Sequence, residues 1–183
     1  MKLLLLGLAL LVFSHYFKRL FPAIHTKMGP SAKVLVALSA FIAIFLMSRG
    51  YGAWDSTVYW IAPMGLVLLA IPVMFFAIYL FVASGAKTRI TSGMQHPQLT
   101  AAMIWAATHL FLAGSAAGFV LFGGIFIWAW GQMVLINRSE STWQPAKVWP
   151  FRGEARSLIA TAIVFAAIIL VHGWMGASVF GFG

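Results

Sequence analysis

Six stretches of this chain run close to the length of a bilayer crossing with almost no charge, and that pattern decides what the chain can fold into. Crossing the hydrocarbon of a bilayer takes about 20 apolar residues of helix. Only helices and closed barrels satisfy their own backbone hydrogen bonds there. The runs fall at 1–21, 32–53, 58–83, 98–113, 116–137 and 157–178. Across the 183 residues, 62% of side chains are hydrophobic and 8% charged, against about a quarter charged in a soluble domain. The expectation is an all-α, polytopic transmembrane bundle of about six helices, or five, forming a single domain over 1–183. Pro63 and Pro72 lie in the third run and predict a kink there. The "AGSAAG" at 113–118 predicts a tight turn joining the fourth and fifth runs.

The first residues, "MKLLLLGLALLVFSHYFKRLFP", share Lys2 and an apolar run with secretory signal peptides. Lys18 and Arg19 stand on the wrong side for one, and no small-x-small cleavage site follows, so a retained first helix is expected. The formal charge of +9 brings nucleic acid to mind. The basic residues flank apolar runs, however, and make no aromatic-interleaved basic face, which excludes that class. Lys18, Arg19, Lys27, Lys33, Lys87, Arg89, Arg138, Lys147, Arg152 and Arg156 fall on one side of a six-span layout, leaving only Lys2 and Arg49 on the other. The positive-inside rule makes the rich side cytoplasmic and both termini external.

What is missing narrows the chemistry. There is no cysteine, hence no disulfide, iron–sulfur cluster, thiolate metal site or covalently attached c-type haem. The acids are Asp55, Glu140 and Glu154, and all three read as loop residues. A proton- or cation-coupled transporter usually keeps a carboxylate at membrane depth, so that class is disfavoured, as is paired-carboxylate hydrolysis. No Ser-His-Asp set and no phosphate-cradling glycine loop is present.

Five histidines remain. His25 reads as an exposed loop imidazole. His96 precedes Pro97, and that dipeptide marks a helix start at the cytoplasmic entry of the fourth run. His109 lies twelve residues beyond Pro97, roughly 18 Å into the bilayer at the helical rise, and an ionisable residue at that depth is a functional candidate. His96 and His109 lie roughly 140° apart around the helix and about 20 Å apart along it, so they cannot share one metal ion. His172 has a depth similar to that of His109, whereas His15 is shallower, three residues before Lys18. Imidazoles at membrane depth without acids or thiols suit b-type haem, whose iron takes neutral imidazoles axially while the porphyrin fills an apolar bundle. Lys18, Arg19 and Arg89 at the rim are candidate partners for its propionates. Structural zinc would want four ligands, which are hard to assemble here. Ala101, Ala102, Ala106 and Ala113 around His109 allow close helix approach or leave room for a flat ring.

The stretch "HPQLTAAMIWAATHLFLAG", followed by "LFGGIFIWAWGQMVLINR", resembles the core of NnrU-type membrane proteins and the related 15-cis-zeta-carotene isomerases. Further matches are "FSHYFKRLFP", "RGYGAW" and "HGWMGASVFG". Met94-Gln95 stands before His96 where the family usually has Arg. The resemblance implies a five- to six-helix integral protein of a bacterial inner membrane. It also implies a link to denitrification, through nitrite and nitric oxide reductase activity, or a haem-dependent isomerisation of a polyene. It places haem ligands on His15 and His109, makes His96 a helper beside the catalytic His109, and matches His172 to a C-terminal family histidine. Depth points to His172 as the partner of His109 and the resemblance to His15; both stay open. The alternative is a non-enzymatic accessory or assembly factor for nitrite and nitric oxide reductases. Isoprenylcysteine and phospholipid methyltransferases also use an Arg-His-Pro helix start, but they add a cofactor-holding segment rich in Glu, Tyr and Arg after the last span. The expectation here is a sequence that stops just after the sixth run on the outer side, which disfavours that class.

Overall fold

The structure is a computed structural model, and it describes residues 1–86, 88–140, 142–145 and 151–174. It is all helical, as expected. In chain order the helices are α1 (Lys2–Leu20), α2 (Pro22–Met28), α3 (Ser31–Gly52), α4 (Met64–Ala83), α5 (Arg89–Ser92), α6 (Pro97–Ala113), α7 (Ala116–Gly118), α8 (Gly124–Ser139) and α9 (Phe151–Trp174). A π-helical turn, Phe119–Gly123, joins α7 to α8, so that Ala116–Ser139 runs on as one 24-residue segment. Five helical segments among the described residues are long and apolar enough to cross a membrane: Lys2–Leu20, Ser31–Gly52, Met64–Ala83, Ala116–Ser139 and Phe151–Trp174. The fourth predicted span, α6, has 17 residues. Large apolar side chains cover the outer faces, with Phe41 73% and Leu170 74% exposed, the inversion of a soluble surface that suits lipid.

The chain forms two compact units. The first comprises Met1–Trp60 and Ala113–Ser141. Here α1 and α3 run antiparallel at close range because glycines remove the Cβ atoms in the way. A Cβ on Gly7 would meet Met47 and the Ala43 carbonyl, and one on Gly50 would collide with the Leu4 backbone. Beside α1, α8 runs parallel to it, with Leu8 against Gly124 and Arg19 paired to Glu140 at 2.7 Å. The basic ends therefore meet: Lys18 and Arg19 close α1, Lys33 opens α3 and Arg138 closes α8. His25, expected in a loop, lies in the short helix α2, which Pro22 opens at its first position.

At the other end of this unit, the segment expected to begin the third span does not enter a helix. Val58 pairs with Ser115 in an isolated bridge. The Tyr59 amide donates to the Gly114 carbonyl at 2.7 Å, and the Ala116 amide donates to Thr57 at 2.9 Å. Gly114 has φ +55°, and a Cβ there would overlap the Trp60 carbonyl; glycine alone fits both demands. The predicted "AGSAAG" turn is thus present, locked by residues 56–60.

The second unit comprises Ile61–Leu112 and Thr142–Gly183. Pro63 precedes the first residue of α4 in an extended conformation, ψ 150°, so the predicted span at 58–83 starts only at Met64. Proline also pushes its predecessor out of the helical region. Pro72 sits inside α4. Phe75 meets Phe165 edge-on at 5.5 Å, joining α4 to α9. Tyr79, Leu80, Ala83 and Ala101 form a buried cluster with Met94 and Ile104 against it. Glu154, read from sequence as a loop acid, is instead in the first turn of α9. Its carboxylate accepts from the Tyr79 hydroxyl at 2.9 Å and from the Arg89 amide at 2.6 Å. Thr88 Oγ1 lies 3.0 Å from the Tyr79 hydroxyl and accepts the Thr91 amide as the cap of α5. One carboxylate thereby ties α4, α5 and α9 together. The sixth predicted span opens earlier than expected, at Phe151. Its last residues, 175–178, lie outside the described residues, as do Lys87, Lys147 and most of "HGWMGASVFG".

Candidate functional site

Within the second unit, α6 and α9 each carry a histidine at depth, and the fold brings the two together. The ring centres of His109 and His172 are 6.4 Å apart, with the rings tilted by 45°. His109 Nδ1 is 2.9 Å from the Trp105 carbonyl, and His172 Nδ1 is 2.9 Å from the Ile168 carbonyl. A carbonyl oxygen only accepts, so each Nδ1 must carry the proton. Each ring thus keeps a lone pair on Nε2, the form in which neutral imidazole binds a metal. Anchoring the far nitrogen to a backbone carbonyl also orients a ligand histidine. Trp105 lies along one flank of His109, with centroids 4.8 Å apart.

His15 shows the same habit in the first unit. Its Nδ1 is 3.0 Å from the Leu11 carbonyl and 3.2 Å from Ser14 Oγ. Its ring meets Trp128 edge-on at 5.0 Å. His96 stands at the entry of α6, where its carbonyl accepts the Thr100 amide at 2.9 Å, the helix-start position expected from His-Pro. Of the rim cations, Arg19 is engaged by Glu140 at 2.7 Å and by Ser139, with its side chain 16% exposed. Lys18 is exposed at the end of α1. Arg89 opens α5, with its amide on Glu154. Ala101 and Ala106 are 3% and 0% exposed; at least Ala101 serves packing, since it lies in the cluster with Tyr79, Leu80 and Ala83.

The donor set can be tested against candidate metals. No group of three or more His, Asp or Glu suited to a metal exists among the described residues, so these residues do not supply a closed tetrahedral zinc site. Two imidazoles suffice for haem, whose porphyrin supplies the other four bonds. With metal–imidazole bonds of about 2.0–2.1 Å, two rings on opposite sides of one ion have centres roughly 6 Å apart. The His109–His172 separation of 6.4 Å fits that arrangement.

Two features went unremarked in the sequence: the Glu154 network and a polar cluster around Trp128 and Gln132 on α8. Gln132 could have been noticed, because an amide inside "GIFIWAWGQMVLIN" is out of place in an apolar run.

Spanning helices, lipid-facing apolar surfaces and a paired-imidazole site within them define a multi-pass helical membrane protein. The chain belongs to the NnrU family, whose model matches residues 3–179. No curated protein and no solved structure matches it.

Proposed function

We propose that this chain is a bacterial cytoplasmic-membrane protein of nitrogen-oxide metabolism whose His109 and His172 would hold haem b in its second unit. The observation that carries this reading is the 6.4 Å approach of the two rings, each with its Nδ1 proton given to its own helix backbone. When bound, the haem would supply redox or Lewis-acid chemistry at its iron. The residues of the chain hold and orient it. Trp105 flanks the His109 ring. Arg89, whose amide donates to Glu154 in the first turn of α9, stands at the opposite end of that helix from His172, so no propionate is assigned to it. The clustering of basic residues at one end of each unit supports a cytoplasmic rim with both termini outside.

The test is an absorption spectrum of protein purified after haem-replete expression. A Soret band is expected, lost in His109→Ala and in His172→Ala and retained in His25→Ala and His15→Ala. A band that survives His172→Ala but not His15→Ala would transfer the second ligand to His15. The close packing of Ala101 favours a second reading, in which α6 is structural and the protein assists nitrite and nitric oxide reductases without haem. The absence of any Soret band would decide for it. A polyene isomerase activity would show as haem-dependent conversion of a cis-polyene by the purified protein.

A further inference from the structure

We propose that α1 and α8 of the first unit form a second polar site, built by His15, Trp128 and Gln132, that binds a single neutral hydroxyl group. Two buried atoms point to it. Trp128 Nε1 and Gln132 Oε1 have no hydrogen-bond partner among the described residues. Indole nitrogen is a donor only, and the amide oxygen an acceptor only. Leaving either unmade is costly, and such orphans in a folded chain call for an occupant.

The two side chains stand one turn apart on α8, which sets them on the same face. His15 of α1 lies against them. Its ring meets Trp128 at 5.0 Å and 80°, and its carbonyl accepts a long 3.4 Å bond from Gln132 Nε2. That bond also settles which way the amide points, because turning it over would set two oxygens against each other. With Nδ1 committed to Leu11, the ring keeps Nε2 as a further acceptor.

A second contact joins α1 to α8 beside the site. The Tyr16 hydroxyl donates to the Trp128 carbonyl at 2.9 Å, and it reaches α8 only because residue 131 is glycine, where a Cβ would collide with it.

One donor and at least one acceptor select the ligand class. A hydroxyl satisfies both, its oxygen accepting from the indole and its proton going to Gln132. A carbonyl or ether leaves Gln132 unmet, an ammonium leaves the indole unmet, and an anion is repelled by the amide oxygen. The hydroxyl belongs either to an apolar molecule entering from the bilayer or to a water molecule, and the two are separable by experiment. The site does not depend on the haem reading.

The test uses the full chain, labelled with 15N-tryptophan, in lipid nanodiscs, with the Trp128 indole resonance assigned through Trp128→Phe. Titration with decanol is expected to move that resonance saturably. Gln132→Leu is expected to weaken the response by about tenfold, the value of one hydrogen bond of this kind. Gln132→Met, nearer in shape, serves if the leucine variant does not fold. A magnetisation-transfer contact from the indole proton to water, lost in Gln132→Met and not displaced by decanol, would identify water as the source of the hydroxyl. An indole resonance that decanol does not move, and that contacts neither hydroxyl nor water protons, would overturn the proposal.

Discussion

His15, His109 and His172 each give the Nδ1 proton to the carbonyl four residues earlier in their own helix. The helix repeat alone places that carbonyl within reach, so the tautomer is set by local backbone and not by a distant partner. What a neighbouring helix decides is which ring lies alongside: another imidazole for His109, an indole for His15. The periodicity of the sequence can therefore place such a ring at depth, but it cannot name its partner. Depth did favour His172 over His15, and the structure puts His172 beside His109. Tyr16 and Gly131 give a separate residue-scale test. Tyr16→Phe removes one hydrogen bond and is expected to cost about 1 kcal/mol. Gly131→Val, which forces a side chain into the Tyr16 hydroxyl, is expected to cost about 1–3 kcal/mol. Thermal unfolding in detergent, followed by circular dichroism, would measure both, and a silent Gly131→Val would refute the close approach.

Helix limits were legible wherever local chemistry sets them. Pro97 opens α6, and Gly114 turns the chain after it. Residues 58–63 do not join the helix although their letters are apolar: backbone groups of residues 57–60 are claimed by residues 114–116, partners invisible along the chain, and Pro63 is extended ahead of α4. Glu154 was misread for a similar reason: an acid near a span end looks solvated until Tyr79, from a helix 75 residues away in sequence, is found donating to it. Glu154→Ala should destabilise the protein by about 1.5–3 kcal/mol, the range for hydrogen bonds to a charged group. Asp55→Ala, at an exposed position, should change stability by less than about 0.5 kcal/mol. Equal melting temperatures for the two variants would show that the carboxylate of Glu154 does not tie α4, α5 and α9 together.

For the molecule as a whole, the absence of native cysteine makes each introduced thiol a unique reporter of sidedness. In intact cells, Lys27→Cys and Arg138→Cys are expected to resist a membrane-impermeant maleimide, whereas Asp55→Cys is expected to react. The reverse pattern would invert the topology, and mixed labelling would refute a single orientation. The π-helical turn at Phe119–Gly123 bears on how a protein of this design can change length. Such a turn accommodates one residue more than a regular helix would, so it acts as a phase adjuster between two halves of one span. Ser115, which accepts the Gly118 amide, and Phe119, which meets Trp60, belong to one half; Trp128, Gly131 and Gln132 belong to the other. Deleting a single residue from the turn would leave a continuous and more regular helix. It would also keep the two halves in their present phase, because the wide turn already absorbs the extra residue. A deletion between Gly124 and Trp128, within regular helix, would instead swing Trp128, Gly131 and Gln132 by about 100° against the clamp of residues 56–60. Single-residue gaps in the π-helical turn should therefore be far better tolerated than the same gap a few residues further along α8.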